Sequence, residues 1–322
     1  MLENAVQSNP VRLEHVTKRY GAFTAVDDLS FAVKQGEIYG FLGPNGAGKT
    51  TTLRMLLDIV QPSDGRISIL GASSAISVRR RIGYLPEERG LYRKMKAADS
   101  IAYFAQLRGL SSGAAKKKAN ALLEQFGLGK FARSKNEALS KGMAQKVQLL
   151  ATIAHEPELL ILDEPFSGLD PINQQTLEAL IADQRANGRT IIFSTHVMQH
   201  AERLCDRFLI LAQGRNRFQG TLAEARAAFG QRLHLRSSAP ASAFEALAGV
   251  VSVRHERDCG EECEYEIELA DGANPQDFLR QVVGAGLMVT KFEQAGATLH
   301  DIFVSLAGDD STAPAHIVEA AE

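Results

Sequence analysis

Apolar residues in the first 220 positions follow two distinct patterns. Continuous apolar runs at 159–162 and 190–194 are typical of parallel strands that are covered on both faces, and a β-like run occupies 36–42. Residues 173–187 have the apolar spacing of a helix, and so does a block from about 94 to 150. This strand–helix–strand alternation predicts a mostly parallel α/β core.

Shorter strand-like segments lie near the start of the chain. Residues 11–16 alternate between apolar and polar side chains, and 31–33 resume an extended pattern after a polar bend. A turn at 62–65 precedes a short strand at 66–71. These segments predict strands and turns around the parallel core.

The pattern changes after Gly220. Extended and helix-like segments then alternate in the order β-α-β-β-α-β, followed by a last helix-like run. They lie at 232–236, 243–248, 250–256, 264–269, 275–283, 287–293 and 299–306. We therefore predict a first domain at 1–220 and a small, ferredoxin-like α+β domain at 221–307. Residues 308–322 are rich in Asp, Ser, Ala and Pro, which predicts a disordered tail.

Composition narrows the class of protein. The chain has 322 residues and a formal net charge of -2, so nucleic acid and anionic lipid are not expected as main partners. No apolar run approaches the ~20 residues that cross a bilayer, and the first residues lack the apolar core of a secretory signal. We expect a cytoplasmic protein.

Cysteine usage agrees with a reducing compartment, because Cys205, Cys259 and Cys263 form no disulfide framework. The pair Cys259 and Cys263 suggests a metal site, but no second pair or histidine cluster in the sequence completes four ligands. The pattern favours two free thiols on a polar turn.

A phosphate-binding loop occupies 43–51, where GPNGAGKTT fits the pattern G-x-x-x-x-G-K-[ST] between a strand and a helix. Glycines let backbone N–H groups approach a polyphosphate, and the helix N-terminus adds partial positive charge. Lys49 adds a full positive charge and Thr50 offers a hydroxyl to Mg²⁺. The loop predicts that the chain binds a nucleoside triphosphate.

Two carboxylates, Asp163 and Glu164, follow the apolar run at 159–162. Ligands of open α/β sheets bind at this end of the strands. Beside a phosphate-binding loop, the first carboxylate is suited to hold Mg²⁺ and the second to act on a water that attacks the γ-phosphate. The alternative is that these are ordinary acidic residues at a strand end.

Further motifs in order along the chain are Leu-Ser-Lys-Gly-Met at 139–143, Ser-Gly-Leu-Asp at 167–170 and Ser-Thr-His at 194–196. With these, the segment from about 11 to 220 resembles the nucleotide-binding subunit of an ATP-binding cassette (ABC) transporter. The resemblance implies a parallel core, an antiparallel β subdomain and a helical subdomain at about 94–150.

The resemblance also implies site residues. ATP contacts are assigned to Tyr20, Asn45, Gly46, Ala47, Gly48, Lys49, Thr50, Thr51, Ser140 and Gly142. Thr50, Asp163 and Glu87 correspond to the Mg²⁺ ligands. Lys49, Glu164 and His196 correspond to the catalytic residues, with Glu164 as general base and His196 on the γ-phosphate, while Asp170 organises the dimer interface. The residues alone leave open that Tyr20 is a strand-end core residue.

Two positions depart from the family pattern. Glu87 replaces the usual Gln, and Ser-Lys-Gly-Met at 140–143 replaces the common Ser-Gly-Gly-Gln. Both departures, and the ending of the second domain at 297–303, resemble bacterial exporter ATPases of the sodium-efflux and drug-resistance type. A carboxylate at Glu87 retains an oxygen ligand for Mg²⁺, a hard cation.

The resemblance implies an ATPase that pairs head to tail with a second copy or a related subunit around two ATP molecules. A separate membrane permease would be a required partner, holding the protein at the inner face of the membrane. The alternatives are a non-transport ABC ATPase of translation or chromosome maintenance and a regulatory ATP-binding module.

Overall fold

The computed structural model describes residues 9–88, 90–228, 231–260, 262–270, 272–296 and 298–307. The chain divides after Gln219 into two compact units. Among the described residues, no helix is both long and apolar enough to cross a membrane. The predicted tail at 308–322 lies outside the described residues.

The first unit contains strands and helices in the following chain order. Its strands are β1 (Val11–Tyr20), β2 (Phe23–Val33), β3 (Ile38–Leu42), β4 (Asp64–Ile69), β5 (Ile82–Leu85), β6 (Leu159–Leu162), β7 (Thr190–Thr195), β8 (Arg207–Ala212) and β9 (Arg215–Gly220). Its helices are α1 (Lys49–Leu56), α2 (Ala75–Val78), α3 (Ala97–Leu107), α4 (Ser112–Gln125), α5 (Lys141–Ile153), α6 (Pro171–Ala186) and α7 (Met198–Leu204). Short 3₁₀ turns occupy 79–81, 129–131 and 136–138.

The central sheet has the strand order β5-β6-β7-β3-β8-β9. Its pairs β5–β6, β6–β7, β7–β3 and β3–β8 are all parallel. Every residue of β3, β6 and β7 is buried, which explains the continuous apolar runs in the sequence. Because these strands are parallel, the loops that follow them lie at one edge of the sheet, which is where the chemistry-bearing motifs fall.

A second, antiparallel sheet has the order β2-β1-β4. Its strands are longer than the sequence pattern predicts, since β2 begins at Phe23 and not at Phe31. Register shifts in β1 interrupt the pairing, and His15 and Asp28 have positive φ values of 49° and 48°. Such irregularities shift side chains from one face to the other, so simple alternation cannot identify these strands.

Helices α3, α4 and α5 form the helical part of the first unit. Apolar side chains of these helices share one core cluster with β6 and β7. Helix α5 is buried along almost its whole length, with Val147, Leu149 and Leu150 inaccessible to solvent. It therefore carries the segment 139–143 on a helix that is packed firmly against the central sheet.

The second unit contains α8 (Leu222–Ala228), β10 (Gln231–Ser237), α9 (Ala241–Glu245), β11 (Val250–Cys259), β12 (Glu262–Leu269), α10 (Pro275–Gly284), β13 (Val289–Gly296) and α11 (Leu299–Ala307). Its sheet has the order β11-β12-β10-β13, and all three pairings are antiparallel. Leu233, Leu235, Tyr265 and Ile267 lie on one face and form a core with Phe244 and Phe278. The intervening positions of β10 and β12 are charged, including Arg236, Glu264 and Glu266.

Truncating Phe41 to alanine should lower the unfolding free energy of the first unit by about 3–5 kcal/mol, the usual loss for a buried phenylalanine. Its ring lies 5.1 Å from that of Phe31 and 5.8 Å from that of Tyr39, and it is fully buried. Phe23→Ala is the matched control, because Phe23 is 63% exposed and its loss should change stability by less than about 0.5 kcal/mol. Calorimetry would compare the variants, and equal shifts in midpoint would contradict the core assignment.

Candidate functional site

The loop at 43–48 joins β3 to α1 at the carboxyl edge of the central sheet. Gly46 and Gly48 have φ values of 82° and 103°, a conformation that favours glycine. A Cβ atom on Gly48 would lie 2.6 Å from the carbonyl oxygen of Ala25, so a side chain is excluded there. Lys49 is buried, and its Nζ donates to the carbonyls of Gly43 at 2.7 Å and Pro44 at 3.2 Å. The lysine thus folds back over the loop that it follows.

Asp163, which follows β6, is linked to α1 and to β7 through one carboxylate oxygen. Ser194 Oγ donates to Asp163 Oδ1 at 2.6 Å, and Thr50 Oγ1 donates to the same atom at 3.3 Å. Burial raises the pKa of Asp163 above its usual range, and the bonds from Ser194 and Thr50 offset part of that rise. A carboxylate and a hydroxyl are therefore held side by side in a buried position, and such an all-oxygen set is the kind that Mg²⁺ prefers.

Glu164 lies between two basic side chains. Its Oε2 is 3.0 Å from His196 Nδ1, and its Oε1 is 3.4 Å from Lys49 Nζ without hydrogen-bond geometry. The residue has a φ of 45°, and its N–H donates to Ser194 Oγ at 2.8 Å. Left-handed backbone in a glutamate is uncommon and marks a conformation that the surrounding structure imposes. The result is a buried carboxylate with one oxygen available to accept a proton.

A second group of predicted site residues lies around the N-termini of α5 and α6. Ser140 caps α5 by accepting from the N–H of Met143, and Asp170 caps α6 by accepting from the N–H of Asn173 at 2.9 Å. The Asn173 side chain donates to the other carboxylate oxygen of Asp170 at 2.6 Å. These bonds from Asn173 lower the pKa of Asp170.

Close packing holds the two caps together. A Cβ on Gly142 would lie 2.4 Å from the side-chain amide of Asn173, so the glycine allows α5 and α6 to approach. In the described part of the chain, no hydrogen bond or ion pair joins Ser140 or Asp170 to the loop at 43–49. The structure therefore brings the predicted residues together as two separate groups.

Among the described contacts, two predicted residues form no hydrogen bond or ion pair with either group. Tyr20, at the end of β1, is 49% exposed, and Lys18 Nζ lies 4.9 Å from the centre of its ring. Glu87 is exposed and lines a cleft with Lys141, Gln145 and Ser167. Among the described contacts, none joins Glu87 to Thr50 or Asp163. The roles assigned to Tyr20 and Glu87 stay predictions.

Ser194 and Asn173 are site residues that sequence reasoning did not single out for these roles. Ser194 joins Asp163 Oδ1 to the N–H of Glu164, and its position two residues before His196 was the available signal.

A further buried pair, His200 and Glu178, is joined at 2.8 Å, and the His200 ring stacks on Phe166 with centroids 4.1 Å apart. This stack supports the segment that follows Glu164.

Comparison with known proteins gives consistent results for both units. Residues 26–167 match the ABC transporter family model, and residues 220–307 match the model of the C-terminal domain of DrrA1-3-like ATP-binding proteins. The ABC transporter ATP-binding protein YhaQ of Bacillus subtilis (strain 168) is 38% identical over 92% of this chain and 98% of its own length.

The Nod factor export ATP-binding protein I of Burkholderia orbicola (strain AU 1054) is 40% identical over 66% of this chain and 70% of its own. A solved structure described as the ATP-binding subunit of an ABC transporter aligns with a TM-score of 0.63 and 36% identity, covering 68% of this chain and 92% of that one. The predicted fold class and the predicted resemblance are both confirmed.

Replacing Glu164 by glutamine should reduce ATP turnover by about 10²- to 10⁴-fold, the usual contribution of a positioned general base. Nucleotide binding should persist, because the amide keeps the size of the side chain and leaves Lys49 in place. Glu124→Gln is the matched control, since Glu124 is exposed on α4. Phosphate release and equilibrium nucleotide binding would be measured for both. Full turnover in the Glu164 variant would exclude the carboxylate as the base.

Proposed function

Because this chain belongs to the ABC transporter ATP-binding proteins, which hydrolyse ATP, we propose that it is the ATPase of an exporter and acts in pairs on a separate permease. One observation carries the catalytic part of this proposal. Glu164 is buried between Lys49 and His196, with one oxygen that no donor in the described part of the chain satisfies. An unsatisfied acceptor beside a phosphate-binding loop suits a group that receives a proton from an attacking water.

Each catalytic side chain has a task that its contacts suggest. Lys49 now donates to two loop carbonyls, and bound ATP would offer it β- and γ-phosphate oxygens in their place. His196 is about half exposed, so its ring can contact the γ-phosphate while Nδ1 remains on Glu164. The loop amides and α1 stabilise phosphate charge, which is the main requirement of phosphoryl transfer.

Mg²⁺ fits the oxygen donors at this position. Thr50 and Asp163 would hold the ion, and Glu87 is the further ligand inferred from the family pattern. When bound, the ion would neutralise charge on the β- and γ-phosphates.

The separation of the two site groups supports the proposed pairing of two chains. Ser140 and Gly142 belong to one group and the phosphate-binding loop to the other, and no described contact connects them. In a head-to-tail pair, the Ser140 group of each chain would close over ATP held by the loop of its partner. The exposed Ile172, at 77%, and the capping Asp170 lie at the surface that such a pair would bury.

Complementation between variants would test the pairing. Lys49→Ala and Ser140→Arg should each abolish turnover alone. Mixed in equal amounts, half of the dimers would contain both variants and carry one intact site, so about a quarter of wild-type turnover should return. Turnover at fixed total protein measures this recovery.

The matched control mixes Lys49→Ala with Glu164→Gln. These two changes affect the same half of the composite site, so every site in the mixed dimer contains one of them and no turnover should return. Equal recovery in both mixtures, or recovery in neither, would contradict the head-to-tail arrangement.

A cleft beside the helical part of the first unit suits the permease. It has a volume of about 240 Å³ and is lined by Tyr84, Pro86, Gly90, Phe104, Arg108, Gln148, Ala151, Thr152 and His155. Burial lowers the pKa of His155 to about 4, so its ring is neutral at physiological pH. Tyr92, Tyr103 and Leu107 are exposed next to Phe104, and such a concentration of exposed apolar side chains marks an interaction surface.

One observation supports export over the alternatives. The similar protein of Burkholderia orbicola is described as an export ATP-binding protein. This description does not favour a role in translation or chromosome maintenance. The protein would then work at the cytoplasmic face of the membrane, held there by its permease.

Leu107→Arg should weaken association with the permease while leaving ATP binding intact, because a buried interface does not tolerate an unpaired charge. Leu107 is 61% exposed on α3. Ile76→Arg on α2, at a side chain that is 59% exposed, is the matched control away from this surface. Purification from detergent-solubilised cells, with quantitation of polytopic membrane proteins, would compare them. An equal loss of permease association in both variants, or no loss in either, would exclude this surface as the permease contact.

A further inference from the structure

The β11–β12 hairpin separates the two cysteines that the sequence places four residues apart. Asp258 pairs with Cys263 across the hairpin, and Cys259 pairs with Glu262. Paired residues share a face of a sheet, and adjacent residues point to opposite faces. Cys259 therefore lies on the face opposite Cys263, and the two thiols cannot bind one metal ion together.

Cys263 instead has His255 and Asp258 beside it. His255 Nε2 lies 2.9 Å from Asp258 Oδ1, and Cys263 Sγ lies 3.5 Å from the same oxygen. The three ligand atoms all lie within 4.8 Å of one another. The histidine that the sequence pattern did not connect with the cysteine is brought to it by the bend in β11, where the register shifts between His255 and Arg257.

These distances suit a small tetrahedral ion. Zinc bonds of about 2.0–2.3 Å separate neighbouring ligand atoms by about 3.3–3.8 Å, so only small side-chain adjustments would be needed. An imidazole nitrogen, a thiolate and a carboxylate are all zinc ligands. One thiolate and one carboxylate also neutralise the charge of a divalent cation.

We propose that His255, Asp258 and Cys263 form a binding site for a thiophilic divalent metal ion, with zinc as the best match, on the β11–β12 hairpin. Water would supply the fourth ligand, because the side chains of His255 and Asp258 are 46% and 80% exposed. Binding would release the thiol proton of Cys263 to solvent.

The surroundings of this site favour a cation. Arg257, the nearest basic residue along β11, lies on the other face and is paired with Glu264. Below the site, the ring of Tyr265 is 5.8 Å from that of His255, and its hydroxyl donates to Ala239 O at 2.8 Å. The ligands thus project from a hairpin whose base is anchored in the core of the second unit.

A second cluster of potential metal ligands in the same unit is less suited to bind a cation. His234, Glu256 and Glu266 also bring their ligand atoms within 4.8 Å. However, Glu266 is already paired with the guanidinium groups of Arg232 at 3.2 Å and Arg254 at 3.5 Å. A metal there would lie beside two fixed positive charges and would have no thiolate ligand.

Cobalt provides the direct test, because Co²⁺ replaces zinc and a thiolate ligand gives a charge-transfer absorption band. Full-length protein would be stripped with a chelator and titrated with Co²⁺ in the absence of nucleotide, so that the phosphate-binding loop holds no ATP-bound metal. We expect a thiolate band that saturates at one equivalent and disappears when Zn²⁺ is added. Cys205 will not contribute, since burial raises its pKa well above the usual range.

Variants of the candidate ligands show which residues give rise to the thiolate absorption band. Cys263→Ser should abolish it, and Cys259→Ser should leave it unchanged. Asp258→Asn and His255→Gln, both at exposed side chains, should weaken Co²⁺ and Zn²⁺ binding by at least about tenfold, since even indirect support of a metal ligand is worth that much.

Three results would overturn the proposal. The first is a wild-type protein without the band. The second is an equal loss in the Cys259 and Cys263 variants, and the third is full binding in both the His255 and Asp258 variants. Basal ATP turnover of the variants would confirm that the first unit is folded.

Discussion

The arrangement of the proposed catalytic residues depends on one buried oxygen, Oδ1 of Asp163. It accepts hydrogen bonds from Thr50 on α1 and from Ser194 on β7, while Asp163 itself ends β6. Three elements that are distant in sequence are therefore fixed to one atom. Ser194 extends the connection to the N–H of Glu164, so the orientation of the proposed general base depends on the same network. Bonds to a buried carboxylate are stronger than bonds between neutral groups, which makes this oxygen an effective anchor.

This anchor completes only half of the expected site. Glu164, Lys49 and His196 converge around it, whereas Ser140 and Asp170 cap helices elsewhere and are held by Asn173. Each half is held by its own hydrogen bonds. In the proposed head-to-tail pair, the two halves would meet across the interface, and ATP would link the subunits. Hydrolysis would then remove that link, so the proposed pair would open after each cycle.

Most of the first unit could be predicted because its signals are local. Continuous apolar runs identify β3, β6 and β7 to within a residue or two, and the glycine-rich loop identifies the strand–helix junction. The longer β2 could not be predicted, because register shifts in β1 break the alternation. Likewise, the partnership of Cys263 with His255 requires the hairpin register and the bend in β11. Contacts that depend on the pairing between two strands cannot be predicted from the spacing of residues along a single strand.

Residues 84–88 connect the site with the proposed permease cleft. At its start, the Leu85 carbonyl accepts from the N–H of Asp163 at 2.8 Å, directly beside the anchoring carboxylate. Farther along, the Glu88 carbonyl accepts from Gln148 Nε2 at 3.2 Å on α5, whose other side chains line the cleft. Between these bonds lies the exposed Glu87. If Glu87 takes its proposed role as a Mg²⁺ ligand, metal binding would act on the same short segment that is bonded to α5. A glutamate there carries a full negative charge, so its attraction to Mg²⁺ and its repulsion from phosphate would both be stronger than those of a neutral amide.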